Sequence, residues 1–87
     1  MVSFIFSKST RKNKKYKVIV KFKSKDKKDE IYHFGDSRYG QFKDSTPLKL
    51  YSSKDNNDKK RQKSYFARHG LAKKYSAKWF SHKYLWT

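Results

Sequence analysis

A net charge of +17 on 87 residues is the feature that most limits what this chain can fold into. Like charges at that density repel one another and resist compaction. Any fold must therefore keep the lysines outside and draw its cohesion from what remains, and what remains is largely aromatic. Seven Tyr, seven Phe and two Trp make up 18% of the chain, within a hydrophobic share of 34%. A mean hydropathy of −1.20 with this charge resembles a disordered chain, but disordered chains are poor in rings, and each large ring can bury much area. The expectation is a single small basic domain over residues 1–87, with an aromatic core and a mobile basic loop around 9–15. A core this small is marginal alone, so dimerisation or binding would add stability. The absence of cysteine excludes disulfides and thiolate metal centres. No apolar run approaches the roughly 18–20 residues of a membrane span, and the stretch Met1–Ser7 is too short for a secretory signal. The chain is read as neither secreted nor membrane-bound.

Hydrophobic periodicity gives the elements. Val2 to Phe6 reads as a short edge strand. Tyr16, Val18, Val20 and Phe22 alternate with Lys17, Lys21 and Lys23, with Ile19 out of pattern. Period two in β-branched and aromatic residues predicts a half-buried strand. Ser24–Lys28 is a turn, and Glu30–Phe34 alternates again, with Tyr32 and Phe34 on one side. Gly35-Asp36 ends this hairpin. A loop over 38–43, a turn at Asp44–Pro47 and a short extended piece at Leu48–Tyr51 follow. A helix is predicted over Asn57–His69, with Asp55, Asn56 or Asn57 as N-cap, Asp58 in the first turn and Gly70 just past the end. A second helix starts after Ser76, with Phe80, Tyr84 and Leu85 closing the core. The predicted fold class is α+β: a small antiparallel β-sheet built on the 16–22 and 30–34 hairpin, with two helices packed on one face. Homodimerisation through a sheet edge or the aromatic end stays open.

Charge is unevenly spread. All seven acids lie between Asp26 and Asp58, leaving acid-free basic segments at both ends. Cations able to reach a repeating charge suit a phosphate backbone. One candidate group is Lys12, Lys14, Lys15, Lys17, Lys21 and Lys23, on one strand face and its loop. The ordinary alternative is a solvated strand face. A second group is Lys59, Lys60, Arg61, Lys63, Arg68 and His69 on the first helix. Two of the four arginines stand seven apart there, and a guanidinium offers a planar fork for phosphate or carboxylate that lysine lacks. The structural alternative pairs these arginines with Asp44 or Asp58. Tyr39, Phe42, Trp79 and Trp86 are the rings that could stack on single-stranded bases, against the simpler reading that they form the core. Nothing in the sequence specifies catalysis or a cofactor. The three histidines have no metal-site spacing, and Asp44, Asp58 and His69 make a weak magnesium set.

Several short motifs follow one another along the second half of the chain, with no internal repeat. They are Phe34-Gly35-Asp36, Tyr39, Lys43-Asp44 with Thr46-Pro47-Leu48, Asn57-Asp58-Lys59 with Arg61, Tyr65 with Arg68-His69-Gly70, Tyr75-Ser76, and Tyr84-Leu85-Trp86. Over about residues 32–86 the chain resembles an uncharacterised family of small basic proteins encoded by giant DNA viruses and large phages. The resemblance implies a viral origin and a place in the virion, the virus factory or the host nucleus, but no activity. The expected function is non-enzymatic nucleic-acid binding through the phosphate backbone, without sequence specificity. Duplex DNA is the expected partner, in packaging or condensation. The alternative is a protein-interaction module docking on an acidic surface, such as a capsid component or the acidic patch of the host nucleosome.

Overall fold

The computed structural model describes residues 2–87. Three antiparallel strands, β1 (Val2–Lys8), β2 (Lys14–Phe22) and β3 (Glu30–Asp36), form a sheet in the order β1-β2-β3. Two helices follow, α1 (Lys59–His69) and α2 (Ala77–Leu85), so the fold is a small α+β one. The register aligns Phe6 with Val18 and Val18 with Tyr32, and Tyr16 lies between Lys8 and Phe34. Successive residues of a strand point to opposite faces, so this register collects the rings on one inner face. Ile19, which breaks the alternation in the sequence, stands opposite Ile5 and Ile31 in a row across the outer face. Two of those isoleucines are largely exposed.

Helix α2 covers the inner face. Ser76 caps it, its hydroxyl accepting from the Trp79 amide at 3.1 Å. Phe80 is fully buried, with ring centroids of Phe4 at 5.1 Å, Phe34 at 5.8 Å and Phe6 at 6.4 Å around it. Edge-to-face contacts of this kind add to the area that the rings bury. Leu85, one turn beyond the middle of the helix, is buried as well. It lies so close to β3 that a Cβ on Gly35 would stand 2.7 Å from its Cδ1 and 3.2 Å from the Lys15 Cβ. Gly35 also has φ +78°, a region that strains a side-chain-bearing residue.

Helix α1 starts two residues later than the sequence reading placed it. Asn57 has φ +50° and cannot be helical. Asp58 is the N-cap itself, its carboxylate accepting from the amides of Lys60 and Arg61. The helix ends as expected at Gly70, with φ +64°. It docks on α2 through its C-terminal half. The Tyr65 ring stacks on Trp86 at 4.4 Å with 7° between the planes, and its hydroxyl lies 3.0 Å from the Ser81 hydroxyl and 2.9 Å from His82 Nδ1.

Two further expectations are corrected. Lys14 and Lys15 belong to β2 and not to the preceding loop, which spans 9–13. The 48–51 piece is not a strand. Lys49 has φ +50°, and a 3-10 turn follows at Ser52–Lys54. The reason is a buried polar network that claims this backbone. Asp44 accepts from both the amide and the hydroxyl of Thr46, from the Tyr16 hydroxyl and from the Tyr51 amide, while the Tyr16 oxygen accepts from the Leu50 amide. Gln41 accepts from the Lys15 ammonium and donates to the Tyr51 carbonyl and the Asp55 carboxylate. Among the described residues no buried side-chain nitrogen or oxygen lacks a partner.

The two left-handed glycines should respond differently to alanine. Gly70 has open space around its Cα, so Gly70→Ala meets only the backbone cost of a conformation that suits glycine, about 1–3 kcal/mol. Gly35→Ala adds overpacking against Leu85 and Lys15, about 1–3 kcal/mol more. Urea unfolding of both variants checks the order, and equal midpoints would show that Leu85 yields freely.

A basic cleft as the candidate functional site

Because α1 packs on α2 mainly through Tyr65 and its neighbours, a gap remains between it and the end of the sheet, lined in part by Tyr65 itself. This cleft has a volume of about 890 Å³. Lys14, His33 and Asp36 of the sheet form one wall, with Tyr39 and Gly40 just beyond. Lys60, Arg61, Ser64, Arg68 and His69 of α1 form the other, and Lys78, Ser81 and Trp86 lie at or just beyond α2.

On α1 the cleft-facing residues Arg61, Ser64 and Arg68 stand at i, i+3 and i+7, the spacing that shares one helix face. Neither arginine braces the 41–55 loop. Asp44 is buried beneath Tyr16, and Arg61 meets Asp58 only loosely, at 3.6 Å, with 70% of its side chain exposed. Arg68 enters no ion pair among the described residues, where only Arg38 and Arg61 meet acids. Asp36 is the single acid lining the cleft. It is held by Arg38 in a two-pronged contact, Nε to Oδ1 at 3.0 Å and Nη2 to Oδ2 at 2.8 Å. Those hydrogen bonds hold its carboxyl down to about 2. The positive field of the cleft therefore goes almost unopposed. Burial lowers the pKa of His69, reinforced by Arg68, His82 and Lys78. Burial also lowers that of His33, reinforced by Arg11, Lys17 and Lys14.

Of the cations picked out in the sequence, the fold brings Lys14, Lys15, Lys60, Arg61, Arg68 and His69 to the cleft, Lys15 only as a buried residue of its wall. Lys12, Lys17, Lys21, Lys23, Lys59 and Lys63 lie outside the cleft. Lys17 and Lys21 share the outer sheet face with the isoleucine row, and Lys59 and Lys63 are exposed on α1 away from the cleft lining. Lys15 requires a correction. It is 1% exposed, and its ammonium bonds to Gln41 and lies 5.9 Å from the centre of the Tyr51 ring. It is a structural lysine and not a phosphate ligand. Sequence reasoning missed Lys78 and His33. Lys78 lies two residues after the Ser76 cap with no patterned neighbour, and His33 reads as an ordinary outward strand residue, so no sequence signal marked either.

Two of the three histidines take part in local hydrogen bonds. His82 bridges Tyr65 and the Gly70 carbonyl through its two ring nitrogens, at 2.9 and 2.8 Å, and His33 Nδ1 lies 2.7 Å from the Ser9 hydroxyl. The weak magnesium set is dispersed, since Asp44 is buried and Asp58 caps α1. Among the described residues no group of three or more His, Asp or Glu side chains could hold a metal ion. Comparison with known protein families, characterised proteins and solved structures finds no match.

Lys15 supplies a measurable signature of this arrangement. Burial, together with the Lys54 charge and against the pull of Asp44, Asp36 and Asp55, lowers its pKa to about 8. The folded state then releases this proton before the unfolded state does, so the contribution of Lys15 to stability rises with pH from about 8 towards its ordinary value near 10.4. An NMR titration of the lysine side chains should find a midpoint near 8 for Lys15. That midpoint should disappear in Lys15→Met.

Proposed function

We propose that this chain is a non-enzymatic nucleic-acid-binding protein that grips the phosphate backbone without reading sequence. The observation that carries the reading is the convergence of Lys14, Lys60, Arg61, Arg68 and Lys78, from sheet, α1 and α2, on one cleft whose single acid is already neutralised. Phosphodiesters need cations at repeated intervals, and backbone contacts carry no sequence information. The arginine pair adds forked donors about 10 Å apart along the helix axis, the rise of seven residues. A role in packaging or condensation, and the virion, virus-factory or nuclear setting that the viral resemblance implies, belong to this same proposal.

An acidic protein surface remains the competing partner, and the two readings part on geometry. Charge count dominates backbone binding, so Arg61→Lys with Arg68→Lys should weaken nucleic-acid affinity only slightly. Docking on carboxylates through the guanidinium forks should suffer far more from the same change.

Salt gives the decisive number. If the five cleft cations each displace a counterion, log K should fall against log salt with a slope of about −4.5 on duplex and about −3.5 on single strands. Anisotropy titrations from about 50 to 200 mM salt measure it. Removing the Arg61 and Arg68 charges should flatten the slope by about two contacts, and removing those of Lys17 and Lys21 should change it less. Affinity that stays level across that salt range would sink backbone binding.

A further inference from the structure

We infer that the cleft accepts single-stranded nucleic acid rather than a duplex, with Tyr39 as a stacking platform for a base at its mouth. The inference rests on the backbone-binding reading above and names its ligand.

Size is the first argument. The whole molecule measures 43 × 25 × 21 Å, and the cleft holds about 890 Å³. Concavities of a few hundred to about 1,000 Å³ enclose ligands of drug size, the scale of one or a few nucleotides. A duplex, whose major groove alone is about 12 Å wide, could touch only the rims of such a cleft. A single strand can lay its phosphates along Arg61 and Arg68 and turn its bases inward.

The rings are the second argument. Of the four aromatics that the sequence offered for stacking, Trp79 is packed in the core against Phe4 and Phe80, and Phe42 lies outside the cleft. Tyr39 and Trp86 both line it. Tyr39 is 65% exposed, unusual for a ring in a chain that must build its core from rings. Its amide bonds to the Asp36 carbonyl at 3.2 Å, and the Arg38 guanidinium, fixed by Asp36, lies 5.6 Å from the ring centre. Trp86 is held against Tyr65, its carbonyl bonded by Gln62 at 2.8 Å. A ring held beside a line of cations is the arrangement by which single strands are bound with little sequence preference.

The test uses the full chain and labelled short oligothymidine, its RNA counterpart, an abasic strand with the same number of phosphates, and a blunt duplex of matched length, all at one salt concentration. At least one base-bearing single strand should bind about tenfold or more tighter than both the duplex and the abasic strand. Tyr39→Ala should weaken single-strand binding between about 5-fold and 100-fold, the range of one lost stacked base, and leave duplex binding unchanged. Tyr39→Phe should retain the wild-type affinity. Thermal melting of the variants shows whether they are folded, and the abasic strand decides the question on the unaltered protein if they are not. Parity between single strand and duplex, or between intact and abasic strand, would overturn the single-strand inference while leaving backbone binding in place. Absence of salt-dependent binding to every strand would overturn both.

Discussion

Asp44 stays charged inside the protein because four donors converge on its carboxylate, two from Thr46 and one each from Tyr16 and Tyr51. Burial alone would raise its pKa, but the hydrogen bonds from Thr46 and Tyr16 outweigh that and hold it below the usual range. Much else follows from this contact. It ties the 41–55 loop to β2 through the buried Tyr16 ring. The same loop reaches α2, where the Lys43 and Ser45 amides donate to the Leu85 and Tyr84 carbonyls at 3.0 and 2.8 Å. Those carbonyls would otherwise be open at the end of the helix. With the end of α2 fixed, Trp86 is fixed, and Trp86 is the surface on which Tyr65 docks α1. The cleft between α1 and the sheet thus inherits its shape from a carboxylate that does not line it.

The distribution of charge follows the same economy of acids. Asp44 and Asp55 hold the loop, Asp58 caps α1, Asp36 clasps Arg38, and Glu30 accepts from the Tyr32 hydroxyl. Of these acids only Asp36 lines the cleft, and it is paired with Arg38. The repulsion that the sequence sets up is therefore not cancelled inside the fold. It is moved to surfaces where solvent, salt or a polyanion can answer it.

The aromatic core suits this charge. Rings bury large areas from few positions, and here one residue, Phe80, meets rings from both outer strands, Phe4 and Phe6 of β1 and Tyr32 and Phe34 of β3. Lysine ammonium groups lie over rings at the periphery, Lys27 Nζ 4.8 Å from the centre of the Phe22 ring and Lys83 Nζ 5.1 Å from that of Trp79. The negative face of a ring attracts such a cation.

The sequence by itself determined the strands, the helices and the inward side of the sheet, because period-two and period-3.6 patterns, Ser76 and Gly70 are local signals. It also determined that Arg61 and Arg68 share a face, since helical geometry fixes that for residues seven apart. Only the tertiary structure decided which cations act together. Lys14 and Lys15 are neighbours in the chain and both border the cleft, yet one is exposed there and the other is buried with its ammonium on Gln41. Lys78 and His33 join the site from elements far apart in sequence. The 48–51 segment shows the same limit, since its backbone follows Asp44 and Tyr16 rather than its own alternating leucines. Periodicity reports the direction of a side chain relative to its own element. Burial of a charge, the lining of a cleft and the path of a loop depend on partners from other elements, and those partners meet only when the chain has folded.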